Sequence, residues 1–288
     1  MRYSRLLIAF ALTFPVLRAQ EIDADSIMAR VAANQDRAEA GRRHYVYVQH
    51  ARVASRRGKT LLCEEVTDSR VTPSPSGSEQ QLLKLDGRVL HKHGYLIYTA
   101  PHTAVEDPDD DVTIEIGDDD RNLVETMRTS LLSSKSRDGI SAQLFPLTSK
   151  HQADYAFRFL GRERTNGREV FHIEFRPKQK NDYGWKGDAY IDTAAYQPVV
   201  VSTSGSRKIP FAVRALLGTN VPGLGFTITY ALLPDGTWFP ASFGTEFQIH
   251  LLFLYHRDIT MNVENREFEK TQVDSTIVAT EDIAPEKR

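Results

Sequence analysis

YAFRFLG (155–161), REVFHIEFR (168–176), WKGDAYID (185–192) and PVVVST (198–203) are four short runs with turn chemistry at every join. Asn166-Gly167 separates the first two, Pro177 through Gly184 the next, and Thr193 to Gln197 leads into Pro198. Asn-Gly between alternating apolar runs is the strongest local hairpin signal. Side chains alternate between the two faces of a strand, so each run divides by parity. Tyr155, Phe157, Phe159, Phe171, Ile173, Phe175, Trp185, Ala189 and Ile191 fall on one face. Arg158, His172, Glu174, Arg176, Lys186, Asp188 and Asp192 fall on the other. A sheet with one oily and one wet face must curve around something or be covered by something.

Working outward toward the C-terminus, Gly205 to Gly225 reads as a long connection, Phe226 to Leu233 as a strand and Pro234-Asp235-Gly236 as a turn. Trp238 to Tyr255 reads as one long strand or two short ones, with Phe243, Phe247, Ile249, Leu251 and Phe253 on the oily parity. Ile259, Met261 and Val263 continue that parity into a last strand, and residues 276–288 form a charged tail.

Toward the N-terminus, Ala24 to Ala40 has helical spacing at Ile27, Val31 and Ala32, with Asp23 or Asp25 as N-cap and Gly41 as the stop. His44 to Ala54 alternates as a strand, turns at Gly58, and pairs back through Leu61 to Thr67. Pro73 to Ser78 reads as a loop, Gln81 to Leu85 as a short strand, Asp86-Gly87 as a turn and Tyr95 to Ala100 as a further strand. Glu106 to Asp120 holds nine acids and no base, an acidic insertion. Arg121 to Ser134 reads as a helix with Leu123, Met127 and Leu131 on one side, capped by Asp120 and able to lie across the oily face. The strand period dominates. The expected class is mostly β, a curved antiparallel sheet or incomplete barrel with an N-terminal and an internal helix.

Residues 1–19 have the layout of a secretory signal peptide: Arg2 and Arg5, an apolar run from Leu6 to Leu17, and Ala19 at the cleavage point. This predicts a periplasmic or secreted protein, with residues 20–275 as a single β domain. Of the 36 basic residues, three (Arg2, Arg5, Arg18) lie in that leader, leaving 33 against 38 acidic ones and a net charge of −5. That balance points away from nucleic acid. No second apolar segment approaches the length of a membrane span. A lone cysteine, Cys63, excludes an intramolecular disulfide and a paired-cysteine metal site.

Catalytic signals are thin. No Gly-x-Ser-x-Gly elbow occurs, and Ser204-Gly205-Ser206 follows a strand with no helix behind it. His91, His93 and His102 are the nearest approach to a metal set but lack a third ligand of fixed spacing. Asp107, Asp109, Asp110, Asp111, Asp118, Asp119 and Asp120 do not follow the alternating calcium-loop pattern and read as a solvated acidic loop. The sequence therefore leads to no catalytic residue, no metal and no cofactor.

The runs YAFRFLGRERTNGREVFHIEFRPK, WKGDAYIDTAAYQPVVVS and TYALLPDGTWFPASF resemble the LolA-like family of periplasmic lipoprotein carriers, and more closely uncharacterised secreted bacterial proteins with that type of sheet. The resemblance rests on Arg176-Pro177, on Gly187, Tyr190, Ile191 and Asp192, on Pro198-Val199, and on Gly236, Trp238 and Pro240, and covers roughly 150–272. It implies an antiparallel sheet rolled into an incomplete barrel, with helices plugging the open side around an apolar cavity that holds acyl chains in the carriers. Tyr155, Phe157, Phe171, Phe175, Trp185, Phe226, Tyr230, Phe247 and Phe253 then become candidate cavity-lining residues. Parity alone does not separate such a cavity from an ordinary core, because both need an oily face; the resemblance favours the cavity. The expected function is non-enzymatic: binding or shuttling a lipid or lipoprotein acyl chain. The alternative is an interaction protein with a filled core that meets a protein partner through sheet edges or the acidic loop.

Overall fold

The computed structural model describes residues 23–74, 77–92, 94–101, 120–131, 147–178, 185–204, 225–251 and 255–271. Residues 1–19, read above as a leader, most of the acidic segment (106–119), His93, His102, Phe253, the 205–224 connection and residues 272–288 lie outside the described residues. The described strands build one 11-stranded antiparallel sheet in the order β4-β3-β2-β1-β11-β10-β9-β8-β7-β6-β5. Every neighbour but one is a hairpin partner in sequence. The exception joins β1 (Tyr45–Arg57) to β11 (Tyr255–Lys270), with Ala51 opposite Val263 and Val53 opposite Met261. The first and last strands of the chain thus meet in the middle of the sheet. The two edges are β4 (Gly94–Tyr98) and β5 (Tyr155–Thr165), so the curved sheet stays open.

Helix α1 (Ala24–Arg42) starts where Asp23 accepts hydrogen bonds from the Asp25 and Ser26 amides, satisfying donors that have no partner within the helix. It runs through Gly41, which keeps helical geometry; Arg43, not a glycine, caps the end. The expected glycine stop fails because tertiary contacts carry the last turn: buried Arg42 donates to Gln35 Oε1 and to the Trp238 carbonyl. Asn34 binds the carbonyls of Ala195 and Tyr196, at 2.9 and 3.0 Å, which pins α1 to the turn between β7 (Lys186–Asp192) and β8 (Pro198–Ser204). Helix α2 (Asp120–Leu131) lies against β1 and β2 (Thr60–Ser74), as the sequence suggested, while α1 lies against β5 and β10 (Trp238–Leu251). A single turn, α3 (Ser149–Gln152), packs on α1 and β5. Ile27, Met28 and Val31 of α1 and Leu123, Val124 and Met127 of α2 share one core with the oily residues of the sheet.

The opening hairpin forms as read. β5 and β6 (Arg168–Pro177) close on Asn166 and Gly167, both at positive φ (51° and 77°), the backbone that an Asn-Gly turn supplies. β9 (Gly225–Leu232) and β10 follow at the Asp235-Gly236 turn. Three local readings are corrected. Pro73 and Ser74 of β2 pair with Ser78 and Gly77 of β3 rather than lying in a loop. Asp86-Gly87 is no turn: β3 (Gly77–His91) runs straight through it, and Gly87 is bare because the Tyr98 ring lies where a Cβ would stand, 2.2 Å from that position. Asp192, placed on the wet face by parity, is buried at the end of β7, where its carboxylate accepts from the Ala194 and Ala195 amides and from Arg168.

A candidate apolar binding site

The sheet's oily face is an aromatic wall. Trp185 meets Phe226 edge-on at 5.0 Å, and Phe226 meets Phe243 at 5.2 Å. Phe171 contacts Phe159 and Tyr196, at 6.2 and 5.8 Å, and Phe175 contacts Tyr155 at 6.1 Å. These spacings are those of favourable aromatic pairs. Of the expected lining residues, Phe171, Phe175, Trp185, Phe226 and Phe247 are buried in the main core. Tyr155, Phe157 and Tyr230 are only partly buried and pack against it. Tyr230 also touches a smaller cluster of Val170, Val199 and Trp238. Phe253 lies outside the described residues.

Two polar groups stand inside this wall. Tyr155 accepts the Trp185 backbone N–H at 3.1 Å, and burial, helped by Asp154, pushes its phenol pKa upward. The Trp185 indole Nε1 is buried without a hydrogen-bond partner. An indole N–H left this way costs free energy that an acceptor would recover.

Beside the half-buried end of the wall opens a cleft of about 390 Å³. Tyr155, Ala156 and Phe157 form its apolar side, and Asp25, Ser149, Gln152, Ala153 and Lys178 its rim. The rim is braced by local hydrogen bonds: Gln152 Nε2 donates to the Met28 carbonyl at 2.8 Å, Ser149 Oγ to Asp36 at 2.6 Å, and Lys178 Nζ to the Ala153 carbonyl at 2.7 Å. The cleft is thus of mixed character, with Tyr155, Ala156 and Phe157 on one side and both an acid, Asp25, and a base, Lys178, among its polar lining.

At the far side of the sheet the helix-facing surface turns polar, a feature that sequence reading missed. Glu65 of β2 is fully buried; it accepts from Arg128 of α2 at 2.9 Å and from the Tyr98 hydroxyl at 3.0 Å. Burial is the main force raising its pKa, Glu125 adds to it, and Arg128 with Tyr98 opposes it. Tyr98 in turn lies 3.3 Å from Cys63 Sγ, with the Arg121 guanidinium 3.7 Å over its ring. At the start of α2, Asp120 is not a cap. Its buried carboxylate binds Arg257 of β11 and Ser55 of β1. Glu65 shares the parity of Cys63 and Thr67, so a charge on an oily stripe was the signal to read. Among the described residues no group of three metal-ligating side chains converges. His91 is exposed at the β3–β4 turn. No helix among them is long and apolar enough to cross a membrane.

Scans of the sequence against family models and against curated proteins return no match. Among solved structures, the chain is similar to a domain described as an outer membrane lipoprotein-sorting protein domain from Vibrio parahaemolyticus. The identity is 13%, covering 87% of this chain and 94% of that one, with a TM-score of 0.39. It is likewise similar to a LolA superfamily protein from Nitrosomonas europaea (10% identity, 87% and 94% covered, TM-score 0.36). A third is the lipoprotein LppX from Mycobacterium tuberculosis (11% identity, 85% and 96% covered, TM-score 0.31). The described strands and helices form an open, curved antiparallel sheet with helices on its oily face.

Proposed function

We propose that this protein is a non-enzymatic, exported envelope protein that binds or shuttles a lipophilic group, a lipid or a lipoprotein acyl chain. The single observation that carries the reading is the cleft beside β5, whose Tyr155–Phe157 side continues into the aromatic wall. Tyr155 and Phe157 receive the chain, beside the wall that Phe171, Phe175, Trp185, Phe226, Tyr230 and Phe247 form. A volume of about 390 Å³ holds roughly a dozen water-sized groups, so about ten methylenes. Each methylene buried there contributes about 0.8 kcal/mol before ordering costs. Lys178 on the rim suits an anionic headgroup.

The test is native mass spectrometry of the mature protein from its own envelope, followed by organic extraction and titration with a fluorescent fatty acyl probe. A discrete bound mass that extracts as a lipid, and probe uptake lost in Phe157→Asp with unchanged thermal stability, are expected. A clean apoprotein mass together with no probe uptake would sink the reading and leave the wall as core.

A further inference from the structure

The two edges of the sheet are built differently. β5 carries Arg158, Arg162, Glu163 and Arg164 and is broken by a bulge between Phe159 and Gly161. Charges and bulges are the devices by which sheet edges refuse further strands. β4 has none of them. Its sequence, Gly94-Tyr-Leu-Ile-Tyr98, is uncharged and free of proline, it pairs only with β3 among the described strands, and its register there is unbroken. Tyr95, Leu96 and Ile97 are 43%, 55% and 71% exposed, the largest apolar exposure on successive residues of any described strand. Both faces of the strand contribute. Leu96 shares the parity of Tyr98, which points to the core side, and Tyr95 and Ile97 lie on the opposite face, where Arg88 stands over the Tyr95 ring.

We infer that β4 is the contact strand of a homodimer, pairing antiparallel with β4 of a second copy across a two-fold axis at Leu96. The segment is complementary to itself in that register. Leu96 faces Leu96 of the second copy, Tyr95 faces Ile97, and Gly94 faces Tyr98, so every pair is apolar or leaves room for a ring. The nearest cations stay out of the seam: Lys92 lies in the β3–β4 turn, and His91 lies on β3, where it pairs with Gly94 of its own chain. A foreign strand meets the same backbone groups, but nothing on β4 selects one; the self-register is the complementarity that the residues supply. A five-residue strand pair falls well short of the roughly 800 Å² per partner of a durable interface. The dimer is therefore transient and concentration-dependent.

Antiparallel partners stand about 4.5 or 5.5 Å apart between Cα atoms, within reach of a disulfide in either case. The chain's single cysteine, Cys63, is buried, so Leu96→Cys introduces one accessible thiol at the axis. Leu83→Cys, on β3 and 53% exposed, places one off it. Sedimentation velocity of the mature full chain between about 1 and 100 µM, the range of a transient contact, is expected to show the mean mass rising toward two chains. Ile97→Lys, at a position already mostly in water, is expected to hold the protein monomeric with an unchanged circular dichroism spectrum. Under mild oxidation Leu96→Cys is expected to form covalent dimers at least about tenfold faster than Leu83→Cys, as a pre-associated pair must. A monomer throughout that range, or equal cross-linking rates for the two cysteine variants, overturns the inference.

Discussion

Removing Arg128 while leaving Glu65 in place tests what holds α2 to the sheet. The Glu65 side chain is fully buried and that of Arg128 is 12% exposed, with Nε 2.9 Å from the carboxylate. A surface ion pair of this length contributes little, but stripping one partner from a buried pair leaves an uncompensated charge and costs about 3–5 kcal/mol. Against a typical total stability of about 5–15 kcal/mol that is a large fraction, and it lowers Tm by about 10 °C. Arg128→Met keeps the stem's packing and removes only the charge. Acid should narrow the deficit, and the sign follows from the Glu65 pKa. Burial raises it above its unfolded value, so the folded state holds the proton more tightly. The resulting stability is fully present below the unfolded pKa and is lost as pH rises through the folded one. Without Arg128 the folded pKa climbs further, so Arg128→Met is weakest near pH 8 and recovers toward pH 5. The double variant Glu65→Leu with Arg128→Met, which removes both charges, is expected to match or exceed the parent at pH 8. Thermal and urea unfolding of the four proteins at both pH values reads all of this. A loss under about 1 kcal/mol for Arg128→Met at pH 8, or a deficit that does not change with pH, refutes the reasoning.

Two further outcomes follow from single residues. A Cβ at Gly187 would stand 2.0 Å from the Ser202 carbonyl oxygen, whereas one at Gly41 meets nothing within 4 Å. Gly187→Ala is expected to cost about 1–3 kcal/mol or more in urea unfolding, and Gly41→Ala to gain about 0.5–1 kcal/mol as a helix-interior glycine replaced. On the outer face, His172 is held between Glu163 at 2.6 Å and Asp188 at 2.8 Å; burial depresses its pKa, but the two carboxylates outweigh it and the net shift is upward. Its stabilisation is present below the unfolded pKa and is lost as pH rises through the folded one. An NMR titration of His172 is expected to report a raised pKa that falls in the Glu163→Gln, Asp188→Asn double variant.

The strands and their faces were legible because period-two alternation is written residue by residue. Apart from Asp192, the oily residues of β5 to β8 and Phe243, Phe247 and Ile249 of β10 lie where their parity put them. What failed was punctuation. Asp86-Gly87, Pro73 with Ser78, and Gly41 carry turn or stop chemistry, yet each is overruled by a contact outside its own stretch or across the hairpin: the Tyr98 ring, the β2–β3 ladder, and the Trp238 carbonyl bound by Arg42. Local propensity is a weak prior against such contacts. The same limit hid the union of β1 with β11, since no local pattern announces that residues about 200 positions apart will pair. Asp120 and Asp192 were read by neighbourhood, as cap and as surface acid, whereas each is buried by a basic or amide partner.

The candidate site divides along the line that parity could not draw. Where neighbouring stretches of the sheet supply large rings, as at Trp185, Phe226 and Phe243, and the helices cover them with aliphatic side chains, the rings fill the space between layers and leave no room for a guest. Where the sheet runs out, at β5, the same alternation continues but no neighbouring strand closes it, so Tyr155 and Phe157 remain half in water beside the cleft. An open sheet with an oily face therefore has its apolar opening at an edge rather than at its centre. The polar island around Glu65 and Arg128 strengthens the asymmetry. A buried ion pair beneath α2 is unfavourable ground for apolar groups, in contrast to the aromatic face at β5.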